Sequence, residues 1–195
     1  MTELTQPLSL PAGKPAEVHN MHNYSEFEHV FSTTKALDTP VAYWARYGLF
    51  RVLHRHTSWI RANLGFPGSD LTAVERESYA EFLRFVDPII ARHEEDKSNL
   101  PTWIERIGNY QAIEDILQLV DHADEALLYW AKQGVALGLE SGQFLARQVQ
   151  EGKLPTGKMK LSLPDLNEFE TQAAQLLSRY PVVIGFKKNP ALGRT

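Results

Sequence analysis

Between residues 39 and 66 the chain carries four arginines, two histidines and six aromatic rings, and not one aspartate or glutamate. Guanidinium groups grip phosphate and carboxylate oxygens in bidentate fashion, and aromatic faces stack on bases or on other rings. At helical spacing, about 100° per residue, Tyr43, Trp44, Tyr47, Phe50, Arg51, His54, Arg55, Ser58 and Arg61 gather on one side. Val41, Ala45, Gly48, Leu49, Val52, Leu53, Trp59, Ile60 and Leu64 gather on the other, an aliphatic stripe suited to a core. The chemistry on offer is the binding of an anionic partner, nucleic acid included, with Lys187 and Lys188 adding charge further along the chain. A competing reading buries the aromatics and pairs the arginines with carboxylates on neighbouring helices.

Other residues raise catalytic or metal chemistry, and each meets a physical objection. His19, His22, Glu26 and His29 would share one face of a single helix, as zinc or iron ligands could. Ser25 and Glu28, however, have capping-box spacing, which starts a helix at Ser25 and leaves His19 and His22 outside it. Gly152, Gly157 and Lys158 have the spacing of a phosphate-binding loop, but Met159 stands where a magnesium-binding hydroxyl belongs and a helix is expected before it. Asp121, His122, Asp124 and Glu125 could trade protons, yet they lie in an acidic stretch expected to face solvent. Arg51 and His56 have an Arg-x4-His spacing that resembles helical ribonucleases of the HEPN class. That resemblance implies a small helical nuclease using those two side chains. On a helix, residues five apart point roughly 140° from one another, and His56 falls on the aliphatic face. No catalytic residue, metal ligand set or cofactor is therefore expected.

The elements that would position these residues can be read from their ends. Thr39 before Pro40 is a helix start, and residues 64–68, Leu-Gly-Phe-Pro-Gly, are a stop. Capping boxes at Thr72 and Glu75 and at Thr102 and Glu105 open further helices. The first of these carries the stripe Leu71, Val74, Phe82, Phe85, Val86, Ile89 and Ile90, with Pro88 expected to kink it. Gly108 and Asn109 interrupt the second, which is expected to resume through Ile113, Ile116, Leu117, Val120, Leu127 and Leu128. Asp165 and Glu168 start a last helix with Phe169, Ala173, Leu176 and Leu177 on its apolar face; Tyr180 and Pro181 stop it.

Gly134, Gly138, Gly142 and Ala146 recur every fourth residue. On a helix they form a smooth stripe where another backbone can approach closely, either inside the chain or as a self-association seam. Each glycine costs a helix on the order of 1 kcal/mol against alanine, so close contact should offset it.

Composition bounds the rest. The chain has 195 residues, no cysteine and a net charge of −4, which excludes disulfides, thiol nucleophiles and cysteine-ligated metals. Acids dominate residues 70–125, whereas only bases follow Glu170. Such a chain can satisfy its charges internally or dock by charge on copies of itself or on a partner. There is no basic-then-apolar leader and no apolar run of membrane-spanning length, so a cytoplasmic, soluble protein is expected.

The expectation is one all-α domain over residues 1–195. It comprises about five or six helices, a flexible arm over about 1–14 and a basic tail over about 181–195 that could open with a short strand. The expected function is that of a non-enzymatic subunit or adaptor, binding an anionic partner through Tyr43, Trp44, Tyr47, Arg51, His54, Arg55, Arg61, Lys187 and Lys188. The alternatives are a homo-oligomer packed through Gly134, Gly138 and Gly142, and a small helical enzyme, metal-dependent or HEPN-like.

Overall fold

The computed structural model describes residues 23–35, 37–95, 106–155 and 163–186. Among them run six helices and no strand: α1 (Tyr24–Lys35), α2 (Pro40–Leu64), α3 (Ala73–Glu95), α4 (Tyr110–Gln118), α5 (Glu125–Gln150) and α6 (Leu163–Arg179). The protein is an all-α bundle. The arm over 1–14, His19, His22, the capping box at Thr102, the loop at Gly157 and Lys158, and the basic residues from Lys187 onward lie outside the described residues.

Most helix starts follow local chemistry. The Thr39 hydroxyl accepts from the Ala42 N–H at 3.2 Å, with Pro40 in the first turn where no donor is needed. The Gly65 N–H donates back to the Arg61 carbonyl at 3.0 Å and closes α2. At α3 the capping box is complete: the Thr72 N–H donates to Glu75 Oε2 at 2.8 Å, and the Glu75 N–H to Thr72 Oγ1 at 3.2 Å. The helix runs on through Pro88 to Glu95.

Four expectations are corrected. α1 starts at Tyr24 rather than Ser25, because Asn23 is the cap: its carbonyl accepts from the Glu26 N–H, and its side-chain amide donates to Glu26 Oε2 at 2.9 Å. The expected long helix from 110 to 128 is two helices. Val120 lies 86 % exposed in the break, and Asp124 recaps the chain by accepting from the Leu127 N–H. On α3, Val74 and Phe85 face outward and Tyr79 takes a core place instead, since the stripe drifts at 3.6 residues per turn. Finally, residues 181–186 form no strand. Their main chain bonds to side chains of α5 rather than to a neighbouring strand.

The core is organised by α2 and α5, which share the most extensive helix–helix contact. They run antiparallel, with Gly48 against Gly134. A Cβ on Gly48 would collide with the Trp130 carbonyl and the Gly134 nitrogen; one on Gly134 would collide with the Trp44 carbonyl. Backbone therefore lies on backbone at this crossing, and only glycine fits. Gly138 makes room for the Trp44 ring and Gly142 for the Phe169 ring of α6. Around the crossing, Phe27, Phe31, Leu49, Phe82, Ile107, Ile113, Trp130 and Phe169 are buried in one apolar cluster that draws on all six helices. Ala146, the fourth member of the stripe, joins Val149 and Leu166 in a smaller cluster between α5 and α6. The glycine stripe is thus filled by helix packing within the chain. The self-association seam imagined for Gly134, Gly138 and Gly142 has no free surface.

Candidate anion-binding ridge on α2

Burying the Gly48 side of α2 against α5 decides which of its side chains reach solvent. The aromatic half of the expected binding face goes inward. Trp44 is 2 % exposed, with its six-membered ring over Gly138. Tyr43 and Tyr47 are half-buried and stack in parallel at 6.5 Å between centroids, each edge-on to Trp44. The Arg106 guanidinium covers the Tyr43 ring at 4.2 Å and reaches Asp38 at 3.2 Å. Burial pushes the Tyr47 phenol up, against the pull of Arg51 and of a hydrogen bond to Ser141. Trp44 is thus a core ring that cannot stack on a partner, which corrects that expectation, whereas Tyr43 and Tyr47 stay half-buried against it.

The cationic half divides. Arg46 is buried and already engaged. Arg61 is exposed, and its Nη2 meets Asp87 Oδ1 of α3 at 2.6 Å. Arg51 and Arg55, one turn apart on the same flank, are half-buried, and His54 beside them is exposed. Among the described residues no carboxylate comes within ion-pair distance of either Arg51 or Arg55. Arg55 does influence Glu140 of α5: burial pushes that carboxyl up, and Arg55 pulls it back without closing a pair.

The other arginines make the contrast. Arg92 pairs with Glu28, Arg106 with Asp38, Arg147 with Glu170 at 2.8 Å and Arg179 with Glu114. Arg76 is held by Ser69 and by loop carbonyls, and Arg84 lies over the Phe85 ring. Of the acidic stretch, Asp87, Glu114 and Asp124 are met by Arg61, Arg179 and His29 from elsewhere in the molecule.

The residues with possible catalytic or metal roles are engaged structurally. Glu26 accepts from the Trp130 indole N–H at 2.8 Å. His29 Nε2 sits 2.6 Å from Asp124 Oδ2, tying α1 to the start of α5. Burial pushes the Asp124 carboxyl up, but the Leu127 N–H and His29 outweigh it and hold the group below the usual carboxylate range. His122 accepts from the Asp124 N–H and stays within its own turn. Among the described residues no three such side chains converge as a metal site would require. His56 turns inward: its Nδ1 lies 2.8 Å from the Val52 carbonyl and its ring is edge-on to Phe186, with burial pushing its pKa down. It points away from Arg51, so the Arg-x4-His spacing does not assemble a site.

Sequence reasoning missed three residues. Arg46 sits one turn from Ala42 and from Leu49, a spacing that could have placed it on the buried side. Gln133 and Phe186 carry no such signal, because their roles depend on a meeting of α5 with the segment after α6. No protein-family model, no curated protein and no solved structure matches this chain. Its class, an all-α six-helix bundle among the described residues, rests on its own geometry. No helix among them is long and apolar enough to cross a membrane.

Proposed function

We propose that this chain is a non-enzymatic helical subunit or adaptor that docks on an anionic partner, nucleic acid included, through Arg51, His54 and Arg55 of α2. One observation carries the reading. Five other arginines close ion pairs inside the molecule, whereas Arg51 and Arg55 stand side by side without one. Two guanidinium groups at i and i+4 present forked donors in one direction, suited to carboxylate or phosphate oxygens. The partner is met chiefly by charge and hydrogen bonding, since Trp44 is buried and Tyr43 and Tyr47 pack on it and on each other.

Binding of labelled single- and double-stranded DNA and RNA by fluorescence anisotropy, repeated over a salt series, tests this. Each phosphate contact contributes a slope of about −0.9 in log affinity against log salt on duplex DNA. The Arg51→Ala, Arg55→Ala chain should lose about two such contacts. No binding at low salt removes nucleic acid from the reading and directs the same pair of variants to an acidic protein surface.

A further inference from the structure

Arg51 and Arg55 of α2 have a counterpart of opposite charge elsewhere on the chain. Glu77 and Glu81 of α3 also stand at i and i+4, both are exposed, and neither closes an ion pair among the described residues. Among those residues they are the one pair of free carboxylates a turn apart on a helix, as Arg51 and Arg55 are the one such pair of free guanidinium groups. The two pairs do not meet within one molecule. Tyr79, 1 % exposed and edge-on to Trp59 of α2, fixes the inward face of α3. Glu77 and Glu81 lie two residues to either side of it, roughly 160° away around the helix, and so turn away from α2.

The acidic ridge has apolar ends. Val74 and Phe85 share its stripe on α3, one before Glu77 and one after Glu81, and are 76 % and 46 % exposed. A contact along this ridge removes them from water as it pairs the carboxylates. Four residues rise about 6 Å along a helix, so a guanidinium pair on one helix faces a carboxylate pair on another, and both ion pairs close together. One exposed ion pair contributes little; two held in register on helices and flanked by apolar contact act as a network.

We propose that α2 of one copy docks on α3 of a second copy, Arg51 and Arg55 meeting Glu77 and Glu81. This rests on the reading of Arg51 and Arg55 as an anion-binding ridge and names the anion, a carboxylate pair of this same chain. Nucleic acid fits the ridge less well. A phosphate backbone is followed by a track of cations, whereas five other arginines are engaged inside the molecule and Glu140 of α5 stands in the field of Arg55. Each copy carries both ridges, so the contact either closes as a two-fold pair or repeats from copy to copy.

Sedimentation velocity of the full chain over a concentration series tests this. The weight-average mass should rise with concentration at about 0.01 M salt and return to that of one chain at about 1 M, where charges are screened within about 3 Å. Glu77→Arg with Glu81→Arg, and separately Arg51→Glu with Arg55→Glu, should each weaken association at least about tenfold through like-charge contact. An equimolar mixture of the two variants sets opposite charges across every contact and should restore association to within about threefold of the parent. Glu77 and Glu81 are exposed, so that variant carries the test should the α2 variant not fold. A parent chain that stays monomeric at low salt, association that the Glu77 and Glu81 reversal leaves unchanged, or a mixture of folded variants that stays monomeric overturns the proposal. A monomeric chain whose Arg51 and Arg55 bind an oligonucleotide or poly-glutamate in anisotropy loses the self-docking and keeps the anion-binding ridge. One that binds neither probe loses both.

Discussion

Gly48 of α2 and Gly134 of α5 touch backbone to backbone, each occupying the space where the other's side chain would have to stand. Every other helix packs around this crossing, and the direction in which α2 presents its arginines follows from it. A methyl group at either position has no flexible neighbour to displace, only carbonyl oxygens and main-chain nitrogens.

Gly134→Ala and Gly48→Ala should therefore each cost about 3 kcal/mol or more, the upper range for overpacking. Gly108→Ala, where an added Cβ meets nothing within 4 Å, should stay within about 0.5 kcal/mol. Urea unfolding of the three variants checks this. Equal stabilities for Gly134→Ala and Gly108→Ala would contradict the crossing.

Gly138→Leu should destabilise the chain without changing its mass in solution, because its side chain would meet Trp44 and Ile107 of the same molecule. Light scattering alongside thermal melting separates the outcomes. A loss of assembly with unchanged melting would return the glycine stripe to a role between copies.

Asp124 caps α5 and holds His29 of α1 at once. Asp124→Ala should cost about 1–2 kcal/mol, the worth of an N-cap, and His29→Ala less. The double variant should cost less than the sum of the two, the excess measuring the contact between them. Because the Asp124 carboxyl is held below its ordinary range, its contribution is present above its unfolded pKa. It is lost as pH falls through the folded value.

His56 works at higher pH and from the opposite cause. Burial holds its pKa below the ordinary 6.5, so the unfolded chain binds the proton first. Stability should fall as pH drops from about 6.5 through the folded value, and His56→Phe should remove that part of the slope. Chemical denaturation across pH 5–8 reads it, and identical slopes for variant and parent would exclude His56 as the cause.

Arg61→Ala should change stability by no more than about 0.5 kcal/mol, since its pair with Asp87 is exposed on both sides. It should also leave binding of an anionic partner far less affected than Arg51→Ala with Arg55→Ala. Urea unfolding reports the first, and anisotropy with the same oligonucleotides the second.

Much of this architecture is legible in the residues themselves, because it is local. Thr39 with Pro40, Thr72 with Glu75, and the stop at Tyr180 and Pro181 act within one turn of chain, and the helices they bound lie where their side chains put them. Local patterns also mislead where two are close together: Asn23 outcompetes Ser25 as a cap, and Asp124 starts a helix inside what reads as a continuous stripe.

What tertiary structure alone decided is which side of α2 meets solvent. Its two faces differ too little in size and polarity for periodicity to rank them, since tryptophan and tyrosine suit a core as well as a surface. The Gly48–Gly134 crossing turns Trp44 onto Gly138 and leaves Arg51 and Arg55 half-buried, with no carboxylate at ion-pair distance among the described residues. The seat of Phe186 after α6 was equally invisible, for it is assembled from Phe27, His56, Phe82 and Trp130, with Gln133 holding the main chain before it, residues far apart in the chain. Caps and turns are written in neighbouring residues; a surface and a seat exist only where distant residues meet.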